Sequence, residues 1–111
     1  MASIRQNRVE RVIQEELSQY FQRNASEVCL GAMVSVTIVR VTSDLSLARI
    51  YLSIFLGPDK KEVLESIRLH DRKIRGEIGN RLKNMHKIPE LLYYIDDSLD
   101  YAENIDKLLK D

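Results

Sequence analysis

"IRLHDRKIRGEIGNRLKNMHKIPEL" spans Ile67 to Leu91 and admits two readings. Gly76 to Gly79, GEIG, is a literal G-x-x-G, a spacing that can form a loop clamping a nucleic-acid backbone. Alternatively, both glycines lie inside a helix. The apolar spacing favours the helix. At about 100° per residue, Ile67, Ile74, Ile78, Leu82 and Met85 cluster within roughly 80°, a core face that Ile78 continues without a break. A loop would also turn the Glu77 carboxylate toward the phosphates. One position breaks the pattern: after Ile67 the next residue expected to be apolar is Asp71, so the helix has a seam there. Pro89 stops it.

Beside the core face runs a second stripe, about 80° wide, of Arg68, Arg72, Arg75, Lys83 and His86. Gly79 lies in its middle, and Lys73, Arg81 and Lys87 lie elsewhere around the cylinder. A glycine costs about 1 kcal/mol against alanine in a helix interior. Gly79 is therefore read as a gap that lets another backbone, such as a phosphodiester chain, come close.

Outward from this segment the pattern is α-β-β-α(α)-β-α. Ser3 and Gln6 have the spacing of a capping box, and Val9, Val12, Ile13, Leu17, Tyr20 and Phe21 share one face of a helix starting at Ile4 and ending near Asn24. "MVSVTIVRV" alternates Val34, Val36 and Ile38 with Ser35 and Thr37, which predicts a strand. After a break at Thr42 to Asp44, "LARIYLSIF" puts Ala48, Ile50, Leu52 and Ile54 on one face and Arg49, Tyr51 and Ser53 on the other. The short break predicts an antiparallel pair. Gly57-Pro58 ends that strand, and Asp59 with Glu62 marks a helix from about Lys60. "ELLYYI" is a third strand, with Pro89 at its entrance. Tyr93 and Tyr94 fall on opposite faces of it, one for the core and one at the surface, where a tyrosine can also stack on a base. Ser98 can cap a last helix carrying Leu99, Ala102, Ile105, Leu108 and Leu109. The expectation is one small α+β domain over residues 1–111, with helices on one face of a three-stranded sheet.

The 111 residues carry 17 basic and 17 acidic side chains, but the charges are segregated. Residues 66–88 hold seven basic against two acidic, a net of +5; residues 89–111 hold two against seven, a net of −5. Local field rather than net charge decides whether a polyanion binds. The acidic residues form a separate run and not i,i+4 partners, so the basic stripe is expected to stay unneutralised.

Other chemistry finds little support. His70 and His86 lack metal-site spacing, and no phosphate-binding loop is present. Asp96 and Asp97 are adjacent on a strand end and point to opposite faces, which suits turns better than acid–base work. Cys29, the only cysteine, reads as a small buried apolar residue, and its isolation suits a reducing cytoplasm. No apolar run approaches the roughly 18 residues of a membrane span. No catalytic residue, metal, cofactor, membrane or small-molecule substrate is expected.

Four pieces in order resemble the ribosome-binding factor A family: "RVERVIQEEL" near the start, "VTSDLSLARIYLS" at Val41 to Ser53, "IRGEIGNRL", and, most specifically, "IPELLYYIDDSLD". The resemblance covers nearly the whole chain. It implies a type II KH-like fold with a kinked helix pair in place of the G-x-x-G loop. It also implies binding to the immature 30S subunit and its 16S rRNA, supporting late rRNA maturation and processing, with a role in cold adaptation. The chain departs from the family at the kink, where an A-x-G is usual and His70, Asp71, Arg72 and Lys73 stand instead.

The resulting expectation is a monomeric cytoplasmic ribosome-assembly factor, not an enzyme. Its candidate RNA-binding residues are Arg68, Arg72, Lys73, Arg75, Gly79, Arg81, Lys83 and Lys87. Asp44, Pro89, Asp96 and Ser98 are read as structural: the hairpin turn, the helix exit and the entry to the last helix. The alternative is a protein-binding adaptor that docks a basic partner through the acidic C-terminal helix.

Overall fold

A computed structural model describes residues 3–82 and 88–96. The expected last helix, with Ser98, lies outside the described residues, as do Lys83, Met85, His86 and Lys87. Helix α1 (Ile4–Arg23) opens on the expected capping box: Ser3 Oγ accepts from the Gln6 amide, and Gln6 Oε1 accepts from the Ser3 amide. Strands β1 (Met33–Val41) and β2 (Leu47–Phe55) pair antiparallel. Helices α2 (Lys60–Leu69) and α3 (Asp71–Leu82) follow, and β3 (Glu90–Ile95) pairs parallel to β2. The sheet order is β1-β2-β3, so β1 and β3 are its edges. The architecture is α+β, as the hydrophobic periods indicate.

The core lies between the helices and one face of the sheet. Val9, Ile13, Leu17 and Phe21 of α1, Ile67 of α2, and Ile74, Ile78 and Leu82 of α3 meet Ala48, Ile50, Leu52 and Ile54 of β2 and Leu91 and Tyr93 of β3. Alpha-1 lies along β1 and also shields that edge. Gln6 Nε2 donates to the Val41 carbonyl, Gln14 Nε2 to that of Val36, and Glu10 Oε2 accepts from the Val41 amide. Polar side chains thus occupy groups that would otherwise recruit a foreign strand.

Strand β1 departs from the alternation expected of it. The register slips between Val36 and Ile38, leaving Thr37 as an extra residue. One added residue moves every later side chain to the other face. Val39 and Val41 therefore join Val36 in the core, and Ile38 is turned outward, 39% exposed. The Thr37 hydroxyl donates across β2 to Asp96 Oδ2 at 2.7 Å, tying the slip to the end of β3. The hairpin turn is held as expected by Asp44, whose Oδ1 accepts from the Thr42 hydroxyl and from both the amide and hydroxyl of Ser46. Cys29 is buried, and burial pushes its thiol pKa up to about 11, so it sits in the core as a neutral side chain.

Candidate nucleic-acid interface

The seam falls at His70. Its amide donates to the Ser66 and Ile67 carbonyls and closes α2, while its own carbonyl accepts from the Ile74 amide and opens α3. Gly76 and Gly79 lie within α3, so GEIG is helical and not a clamping loop. Asp71, the residue that broke the apolar pattern, has a partner in the sheet: Tyr93 Oη donates to Asp71 Oδ1 at 2.9 Å. Tyr93 is only 3% exposed, and burial foremost, then the Asp71 carboxylate, push its phenol well above the ordinary tyrosine range. It is a fixed donor, and a buried hydroxyl needs such an acceptor. The polar residue in the helix face and the polar end of the strand residue answer each other.

Beta-3 is an edge strand, and α2 supplies a cation to it. Arg68 Nη2 donates to the Tyr93 carbonyl at 3.0 Å. Arg68, Asp71, Leu91, Leu92, Tyr93 and Tyr94 line a groove of about 230 Å³ along this edge. The Arg68 contact is to a neutral carbonyl, so its charge is not cancelled. Arg75 lies near the same place: its charge acts on the Tyr93 phenol, and its Nε is buried with no hydrogen-bond partner among the described residues.

The basic residues of α3 divide between two flanks. At about 100° per residue, Arg72 and Arg75 fall on the flank away from α1, while Glu77 and Arg81 fall toward it. Arg81 Nη1 meets Glu16 at 2.9 Å and Glu15 at 3.4 Å on α1, and Arg23 meets Glu77 at 2.8 Å. The Glu16 hydrogen bond, foremost, holds the Arg81 guanidinium above its ordinary pKa. Arg81, a candidate RNA-binding residue outside the stripe, is therefore already neutralised, because tertiary packing supplies carboxylates that are distant in sequence. Lys73 lines a separate depression with Tyr20, Asn24, Glu27, Gly76, Glu77 and Asn80. Arg72 and Lys73 are exposed, and neither makes a hydrogen bond or ion pair among the described residues.

Gly79 also needs correction as a gap for RNA. A Cβ there would lie 2.6 Å from Ile88 Cδ1, so the space is filled by the chain's own entry to β3. The glycine lets the helix and the segment before Pro89 pack together. At Gly76 nothing lies within 4 Å of a built Cβ.

The family model for ribosome-binding factor A matches residues 5–109. The chain belongs to the ribosome-binding factor A family. It is 38% identical over 110 residues to the Cytophaga hutchinsonii ribosome-binding factor A, covering 98% of this chain and 83% of that one. Its fold is similar to the crystal structure of the Thermus thermophilus ribosome-binding factor A, with a TM-score of 0.69 at 18% identity over 81% of this chain and 94% of that one. It is also similar to the Thermus thermophilus factor as fitted into the cryo-EM map of a 30S complex, with a TM-score of 0.53 at 18% identity over 74% and 93% of the two chains. The fold is thus the KH-like one of these structures. The family is one of ribosome-binding factors and not of enzymes.

Within the family pattern, Asp44 and Pro89 take the structural places expected of them, at the turn and before β3. Asp96 is committed to Thr37. Sequence reasoning missed one arrangement at this edge. Tyr94 is the outward member of the tyrosine pair, 37% exposed, and its ring stacks on Tyr51 with centroids 5.4 Å apart. The alternation of β2 puts Tyr51 with Arg49 on one face and that of β3 puts one of its two tyrosines outward, but only the structure selects Tyr94, and only the parallel β2–β3 register sets it beside Tyr51.

Proposed function

We propose that this protein is a ribosome-assembly factor that binds the immature small subunit through its 16S rRNA. It acts as a single-domain cytoplasmic monomer, supports late maturation and processing of that RNA, and matters most in the cold. The observation that carries the reading is the gathering of Arg68, Arg72 and Arg75 around the α2–α3 seam and the β3 edge, with no ion pair to any of them among the described residues. Asp71 is the carboxylate in that groove, and it is engaged by Tyr93. Arg68 on the strand edge, Arg75 near Tyr93 and the exposed Arg72 beside the seam suit RNA phosphates, and shape rather than base edges would give selectivity. Lys83 and Lys87 follow directly in sequence and extend the basic run; Lys73 adds charge from the other flank. The family membership and the 30S complex of the Thermus factor support the same partner. Gly79 and Arg81 have structural duties and are assigned no RNA contact.

The test is co-sedimentation with precursor small subunits. Arg72→Glu combined with Arg75→Gln, with its fold verified by circular dichroism, should lose pelleting and show a shallower salt dependence, by about 0.7 to 0.9 in log–log slope per lost phosphate contact. A folded double variant that pellets like the parent refutes the assignment. Pelleting lost instead on reversing Asp100, Glu103 and Asp106 would point to an adaptor working through the acidic C-terminal segment.

A further inference from the structure

The helices cover one face of the sheet, and the described residues leave much of the other open. On that face Arg40 of β1 and Arg49 of β2 stand directly opposite each other. Both are exposed, and neither makes a hydrogen bond or ion pair among the described residues. Like charges directly opposed on a sheet destabilise it. The neighbouring carboxylates do not relieve them: Asp96 accepts from Thr37, and Glu90, across from Leu47, pairs with neither arginine.

Two residues along each strand, about 7 Å away, lies a second row of Ile38, Tyr51 and Tyr94. The two tyrosine rings are stacked at an interplanar angle of 26°. Beta-3 is the edge, so among the described residues no further strand stands beyond the Tyr94 ring. Tyr94 also lines the groove beside Arg68, which makes the groove and the open face continuous around β3.

We infer that the open sheet face is a stacking platform for single-stranded RNA, with a base on the outer face of Tyr94 extending the Tyr51–Tyr94 stack and phosphates on Arg49 and Arg40. A base has a π-face for Tyr94, and its backbone has charge for the arginines. Arg49 and Arg40 lie one and two strands inward, about 5 and 10 Å from the edge strand, so the RNA would leave the groove and cross the sheet. An acidic peptide would satisfy the arginines but leave the stack unused. The platform rests on the RNA-binding reading above and adds a second surface and an unpaired substrate to it.

The experiment measures binding of a fluorescein-labelled oligoadenylate of about ten nucleotides, with small-subunit pelleting in parallel. Tyr94→Ala should weaken oligonucleotide binding about tenfold, and Tyr94→Phe should retain it. Arg40→Gln with Arg49→Gln should lower the log–log salt slope by about 1.4 and raise the Tm, because it removes the opposed charges. Ultraviolet crosslinking should place the nucleotide on Tyr94. If the platform variants bind the oligonucleotide like the parent while Arg72→Glu with Arg75→Gln does not, the platform is wrong and the seam reading stands. An intact protein that pellets with subunits but ignores the oligonucleotide also sinks the platform. If it binds neither, the RNA reading falls with it. Binding of oligoglutamate that needs Arg40 and Arg49 but not Tyr94 would make the face an acidic-peptide site and overturn the proposal.

Discussion

Tyr93→Phe and Asp71→Ala probe the contact that joins the helix seam to the sheet. The phenol is buried and donates to a half-buried carboxylate at 2.9 Å. A hydrogen bond to a charged group contributes about 1.5–3 kcal/mol. Tyr93→Phe leaves Asp71 at the first turn of α3, where water and the helix dipole still stabilise it, so the cost should sit near the bottom, about 1–1.5 kcal/mol. Asp71→Ala strands the hydroxyl in the core and removes the N-terminal charge, so it should cost more, about 2–3 kcal/mol. The double variant should fall short of the sum by about 1 kcal/mol or more. Urea unfolding followed by circular dichroism measures all four proteins, and each kcal/mol should move Tm by roughly 4–8 °C. The phenol also has a pH signature. Unfolded tyrosine titrates near pH 10 while folded Tyr93 holds its proton above that. The unfolded state therefore sheds its proton first, and stability falls by about 1.4 kcal/mol per pH unit above about pH 10. Tyr93→Phe should lack that share. Additive single costs, or a Tyr93→Phe cost larger than that of Asp71→Ala, would refute the coupling between seam and strand.

Two further outcomes are expected. Gly76→Ala should stabilise the protein by about 1 kcal/mol, since nothing lies near its Cβ, whereas Gly79→Ala should gain less or lose because it displaces Ile88; the Ile88→Val background should restore the gain in thermal melts. Equal gains at both glycines in the parent would show that Ile88 does not fill the gap. Raising the pH from about 9 to 11 should cost the parent about 2 kcal/mol more than Cys29→Ala, because the unfolded thiol ionises first while the buried one largely holds its proton until about pH 11. Parallel pH profiles in urea titrations would contradict that burial.

Local patterning was enough for the elements. The capping box at Ser3 and Gln6, the 3.6-residue spacing through Ile74, Ile78 and Leu82, the break at Asp71 and the proline before β3 all depend on near neighbours in the chain, and each stands where its residues put it. The same spacing also settled GEIG as helix, because Ile78 could not leave the core face without exposing itself. Charge segregation was legible for a similar reason: the basic run of residues 66–88 is visible along the chain.

What packing decided could not be read that way, because it depends on partners many residues apart. Asp71 looked like a defect until Tyr93, 22 residues on, supplied a hydroxyl. Gly79 looked like room for RNA until Ile88 filled it, and Arg81 looked free until α1 brought Glu15 and Glu16 to it. One unpaired residue at Thr37 turned Ile38 outward and Val39 inward, a slip that strict alternation cannot anticipate. The opposed arginines and stacked tyrosines of the open face exist only because two registers, β1 on β2 and β2 on β3, align residues whose sequence neighbours give no sign of it. Periodicity is a property of one segment, whereas neutralisation, filled space and register belong to pairs of segments.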